Sequence, residues 1–258
     1  MNLPDYPPQE PLSEAGQAYS AECWRRSAGI PCREEPFGPD PYQTLLVFEP
    51  KKADGRVLLF WHGGGWTSGY KEWMGFMAPA FNAAGITFIS AGYRLAPQHV
   101  FPAGLDDCMS ALKWVRENIP SRIFIGGHSA GGHYAALIAC RGQSGIEGCL
   151  PISGVYEFGE GSGLSARPRF LGSDPGVDRM ASPRYQLKSS LPPFLVAYGT
   201  RDFAHLIPQA QRFVAAVRDA GGEAEELALA ARTHFTASFA GGEVDGPWVP
   251  AALAFMRR

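Results

Sequence analysis

From residue 45 onward the chain alternates short apolar runs with segments of helical spacing. The runs at 45–48, 57–61, 86–90, 123–125, 149–153, 194–198 and 225–229 are bounded by glycine, proline or polar residues, which predicts strands. Between most of them lie helical patterns, at 72–84, 103–119, 130–140, 205–220 and 247–257. Strands that are apolar almost throughout must be buried on both faces, so the pattern predicts an α/β fold with a mainly parallel sheet and helices on each side. In that architecture ligands bind beyond the carboxyl ends of the strands.

Two segments stand outside the alternation. A helical pattern at 13–28, opening on a cap at Ser13, has Tyr19, Cys23 and Trp24 as its inward side chains and lies in a stretch, 1–40, that reads as an N-terminal flap or partial lid. The stretch 154–193 is rich in Gly, Ser, Pro and Arg and joins two core strands by a path too long for a plain loop. It predicts a small cap over the mouth of the site, with a short helix starting near Ser182-Pro183. No repeat interrupts the 258 residues, and one domain, 1–258, is expected.

Composition narrows the partners. A charged share of 19% and a hydrophobic share of 45% are those of a soluble globular protein, and a net charge of −2 with scattered Lys and Arg offers no footprint for nucleic acid or an anionic membrane. No stretch approaches the roughly 20 apolar residues of a membrane span. Residues 1–11 are rich in proline and acid instead of basic and apolar, so they do not read as a secretory signal, and a cytoplasmic protein is expected. Cysteines 23, 32, 108, 140 and 149 form no C-x-x-C pair, which predicts reduced, packed thiols and no metal centre.

The chemistry begins at Gly127-His128-Ser129-Ala130-Gly131, between an apolar strand and a small-residue helix. A strand that enters a helix through so tight a turn lifts its central side chain clear of the sheet, and the flanking glycines let the backbone pack that closely. Ser129 is therefore the expected nucleophile, at a helix N-terminus that favours developing negative charge. His62-Gly63-Gly64-Gly65-Trp66 follows the strand at 57–61, and its glycines leave backbone N–H groups unobstructed. Gly64 and Gly65, with Ala130, are the expected oxyanion-hole donors. Trp66 and Tyr156 lie just beyond strand ends, and Phe203 and His205 lie near Asp202; these four are the expected substrate-binding side chains. Asp106 and Asp107 read as structural, through capping or a tie to Arg94.

Together HGGGW, AGYRLAP followed by FPAGLDDC, and GHSAGG resemble the α/β-hydrolases, in particular the hormone-sensitive-lipase-like esterases. The form GHSAGGH and the short length are also similar to the kynurenine formamidase (arylformamidase) branch, which more often carries an aromatic residue where this chain has Gly65. The resemblance implies an α/β-hydrolase fold and the chain order nucleophile, acid, histidine. That order points to Asp202, just past the strand at 194–198, and to His234, just past the last strand. His128, His133 and His205 are the rivals of His234.

The combined expectation is a serine hydrolase that cleaves a small carboxylic ester or aryl formamide through an acyl-enzyme, with catalytic Ser129, Asp202 and His234. It calls for no cofactor. The same constellation serves thioester cleavage and acyl transfer, and a non-catalytic hydrolase-fold protein that binds a small ligand is the alternative of another class. Oligomeric state is open, although dimers of similar esterases form through the last helix, which here ends at Phe255-Met256-Arg257-Arg258.

Overall fold

The computed structural model describes residues 6–258. Part of the proline-rich beginning read over 1–11, as far as residue 5, lies outside the described residues, as does the start of the flap at 1–40.

Eight strands form one sheet: β1 (Arg33–Pro36), β2 (Thr44–Phe48), β3 (Arg56–Trp61), β4 (Thr87–Ala91), β5 (Arg122–His128), β6 (Ile146–Ile152), β7 (Phe194–Arg201) and β8 (Ala224–Thr233). Their spatial order is β1-β2-β4-β3-β5-β6-β7-β8. β2 runs antiparallel to both β1 and β4, and every pairing from β4 through β3 to β8 is parallel. The expected strands are all present, and β5 continues three residues beyond the apolar run, through Gly126 and Gly127 to His128.

The helices are α1 (Glu14–Ser27), α2 (Ala78–Ala83), α3 (Ala103–Asn118), α4 (Ala130–Cys140), α5 (Val177–Ala181), α6 (Leu206–Asp219), α7 (His234–Phe239) and α8 (Trp248–Phe255). At α1, Ser13 accepts a hydrogen bond from the Gly16 N–H and so caps the helix as expected. The pattern at 72–84 is split into a 3-10 turn over Lys71–Met77 and then α2. Pro79 accounts for the break, because a residue without an N–H fits only in a first helical turn. The short helix expected from Ser182-Pro183 is displaced: α5 ends at Ala181, and Pro183 opens only a 3-10 turn, Pro183–Tyr185.

One core layer packs Tyr93, Leu105, Leu112, Tyr134, Leu137 and Phe213 against one face of the sheet. The other packs Phe60, Trp73, Phe81, Phe88, Trp248 and Phe255 against the opposite face. Burial on both faces is what the near-continuous apolar strands require. Asp107 does tie to Arg94: the carboxylate, 1% exposed, takes bonds from Arg94 Nε, Nη2 and backbone N–H, and another from Gln43 Nε2 at 2.7 Å. This clamp joins α3 to the loop after β4 and to the start of β2. All five cysteines are free thiols, four buried and Cys32 exposed.

Candidate active site

The carboxyl ends of β3, β5, β6 and β7 converge on one crevice. β5 delivers Ser129, which sits at φ +53 as the residue capping α4. So tight a turn works only because its neighbours lack side chains: a Cβ on Gly131 would lie 2.1 Å from the Trp61 carbonyl oxygen, and one on Gly127 would lie 2.2 Å from the Gly131 carbonyl carbon. The Ser129 N–H donates to Ile152 O at 3.0 Å, which fastens the turn to β6.

Beyond β7 stands Asp202, and beyond β8 His234 opens α7 under a capping box of Thr233 and Thr236. His234 Nε2 is 2.9 Å from Ser129 Oγ, and His234 Nδ1 is 2.7 Å from Asp202 Oδ1. A carboxylate only accepts, so Nδ1 carries the proton and Nε2 presents a lone pair to the serine hydroxyl. Burial pushes the Asp202 carboxyl up, but its bond to His234, the His234 charge and a bond from Ser153 outweigh that and leave it below the ordinary carboxylate value. Three residues far apart in the chain thus form one hydrogen-bonded line.

Two of the rival histidines are committed elsewhere. His128 Nε2 donates to the His234 carbonyl at 3.0 Å, while its Nδ1 faces Tyr19 Oη of α1 at 3.4 Å. Trp66 Nε1 donates to His133 Nδ1 at 3.1 Å, so His133 Nε2 carries the proton given to Ala181 O at 2.7 Å. His205 lies on the rim, half-buried, and burial and the neighbouring His234 lower its pKa.

The loop after β3 presses on the serine turn. A Cβ on Gly63 would lie 2.9 Å from His128 Nδ1 and 3.1 Å from Ser129 Cβ. Gly64 and Gly65 follow in left-handed conformations, φ +120 and +61. Among the described residues neither of their N–H groups has an acceptor. Ala130, the first residue of α4, likewise has no intrahelical acceptor for its N–H. Gly64 and Gly65 line the same cavity as Ser129, and donors left without an acceptor are what an oxyanion hole uses.

A cavity of about 300 Å³ opens over Ser129. Leu12, Tyr19, Trp73, Phe235, Val155, Leu164, Phe203 and Leu206 supply apolar lining. Among the described residues that line it there is no Asp, Glu, Lys or Arg. Of the four side chains expected to meet substrate, Trp66, Phe203 and His205 do line the cavity. Trp66 is also held from behind, stacked on Phe170 at 4.3 Å. Phe203 is 46% exposed and stacks on the His234 ring at 4.4 Å. Tyr156 corrects the expectation: it is fully buried, stacked on Phe213 at 4.4 Å, and does not line the cavity. Its position beyond β6 is right, but the side chain turns into the core. Ser153, also just past β6, donates to Asp202 Oδ2 at 2.5 Å, a contact that no motif announces.

Comparison with known proteins agrees with this fold. A family profile described as alpha/beta hydrolase fold matches residues 58–167, the span from β3 through the serine turn into the stretch that follows β6. Esterase LipQ of Mycobacterium tuberculosis is 30% identical over an alignment of 236 positions that covers 77% of this chain and 55% of that protein. Carboxylesterase NlhH of the same organism is 43% identical over an alignment of 90 positions that covers 32% of this chain and 28% of its own. The chain spans about half the length of the first curated relatives it matches. An esterase structure from Pyrobaculum calidifontis superposes with a TM-score of 0.76 at 23% identity, covering 93% of this chain and 92% of that one. A thioesterase structure from Silicibacter superposes with a TM-score of 0.80 at 18% identity, covering 92% and 93%. At those identities the superpositions speak for the fold.

Proposed function

The chain belongs to the α/β-hydrolases, in their hormone-sensitive-lipase-like branch, and from that premise we propose that it hydrolyses small, uncharged carboxylic esters through an acyl-enzyme on Ser129. The observation that carries the reading is the line from Ser129 Oγ through His234 to Asp202, with both links between 2.7 and 2.9 Å, at the floor of an apolar cavity. Esterases among the sequence relatives support the same reaction class.

In this reading Ser129 Oγ attacks the ester carbonyl while His234 Nε2 takes the hydroxyl proton, and Asp202 stabilises the imidazolium so formed. The former carbonyl oxygen, now an oxyanion, is received by the free N–H groups of Gly64, Gly65 and Ala130, each worth about 3 kcal/mol of barrier. Collapse expels the alcohol, which leaves with the proton from His234. Water then enters along the same path, gives its proton to His234, and releases the acid and the serine.

The lining favours an ester over the formamide of a zwitterionic amino acid. An ammonium and a carboxylate brought into this cavity would lose water and find no opposite charge on its walls. Trp66, Phe203 and Phe235 offer flat apolar surface instead, suited to an acyl chain or an aromatic leaving group. A comparison of p-nitrophenyl esters of increasing chain length with N-formylkynurenine tests this directly. Turnover of short esters with little or none of the formamide is the expected result; a strong preference for N-formylkynurenine would overturn it.

A further inference from the structure

We propose that Ser153 is a positioning residue for the reaction at Ser129, its hydroxyl locking the Asp202 carboxylate in the plane that aims His234; this rests on the hydrolase reading above. Ser153 follows the last residue of β6, is 1% exposed, and is one of four non-glycine residues with positive φ among those described, at +51. Its N–H is fastened to Ala197 O of β7 at 2.8 Å, and the carbonyl of the same peptide, Ile152 O, accepts from the Ser129 N–H at 3.0 Å, so the peptide before Ser153 is held on both sides. A glycine would take that conformation without steric cost. What the serine supplies there is its side chain.

That side chain has one partner, Asp202 Oδ2, at 2.5 Å. Because an ionised carboxylate cannot donate, the Ser153 hydroxyl must, and the bond is of the short, charge-assisted kind. The two oxygens of Asp202 are unequally held. Oδ1 receives both His234 Nδ1 at 2.7 Å and the Phe203 N–H at 2.8 Å. Among the described residues Oδ2 has only Ser153 and the Gly199 N–H, the latter at 3.4 Å, the outer limit of a hydrogen bond. A carboxylate turns about its Cβ–Cγ bond as a rigid unit, so whatever fixes Oδ2 also fixes the direction in which Oδ1 meets the imidazole. Without Ser153, Oδ2 is buried with one long contact, and the plane of the carboxylate is free to swing away from His234.

The experiment exploits the strained backbone, because it sets the structural and positioning roles against each other. Ser153→Gly removes the hydroxyl and the steric cost together, and Ser153→Ala removes only the hydroxyl. Both are compared with the unaltered protein in p-nitrophenyl butyrate turnover, thermal midpoint, and the downfield proton resonance of His234 Nδ1–H, identified by its loss in His234→Gln. The expected result is a kcat lower by about 10- to 100-fold in both variants, KM within about twofold, a displaced resonance, and a Ser153→Gly midpoint above that of Ser153→Ala. A kcat within about twofold of the original overturns the proposal. So does a loss of kcat that comes with a lowered midpoint in both variants and an unmoved resonance. If the unaltered protein cleaves no ester, the hydrolase reading falls, and the resonance alone still decides whether Ser153 sets the carboxylate.

Discussion

Asp202 is buried behind His234, and its part in the account is to hold one tautomer: with Nδ1–H given to Oδ1, the Nε2 lone pair is left for Ser129. Asp202→Asn keeps the shape but puts an amide where an acceptor is needed, so the ring can turn its other tautomer toward the serine and lose its basic nitrogen. Ester turnover is expected to fall by about four orders of magnitude with little change in KM. Steady-state kinetics on the purified variant check it. Retention of a tenth of the activity or more, on about that scale, would mean that another group orients His234. The His128 ring lies 4.9 Å from that of His234, centroid to centroid, but its Nε2 bonds to the His234 main chain.

At the scale of elements, the clamp between Asp107 of α3 and Arg94 ties a helix to the loop that follows β4. Asp107→Ala strands the guanidinium and the Gln43 amide, both of which now end on that carboxylate. Breaking one partner of such a buried pair costs about 3 kcal/mol, which lowers the thermal midpoint of a chain this size by roughly 10 °C. Calorimetry reads this, and a midpoint shifted by less than about 2 °C would contradict it. The tie was legible in the spacing of the two residues, as were the seven strands with continuous apolar runs and the nucleophilic turn.

Other elements were not legible, for reasons that can be named. β1 is Arg33-Glu34-Glu35-Pro36, an edge strand mostly exposed, so no apolar alternation marks it. α7 is six residues that begin on His234 itself, too short for a helical period to register. Tyr156 shows that a place at a strand end does not tell which way a side chain turns: it packs on Phe213 while Val155 beside it reaches the cavity. Ser153 was hidden because its signal is a backbone angle and a contact 49 residues away. Asp202 and His234 could be named only through the order of the family's motifs, since nothing in their local spacing brings them to Ser129.

On the scale of the whole molecule, burial holds three histidines neutral well below their ordinary range. Burial lowers the pKa of His62 to about 4 and those of His128 and His133 to about 3, from an ordinary 6.5. In the unfolded chain the same rings take up protons below about pH 6.5, while in the fold they stay neutral until the lowered values are reached. The unfolded state therefore binds more protons across that window, and stability must fall as the pH falls through it. The thermal midpoint is expected to drop steadily from about pH 6.5 to about pH 5 and to change little above about pH 7. A midpoint flat across that range would mean that the buried rings accept protons without unfolding. Among the described residues no helix is long and apolar enough to cross a membrane.

The claim on which the rest depends is that Ser129 is a nucleophile activated by His234. A fluorophosphonate probe, applied to the folded protein and located by peptide mass spectrometry, measures that without any choice of substrate. The account predicts a single adduct, on Ser129, formed rapidly in the unaltered protein and lost or greatly slowed in His234→Gln. An unlabelled Ser129 in folded protein, or labelling that proceeds equally well without the imidazole, would contradict it.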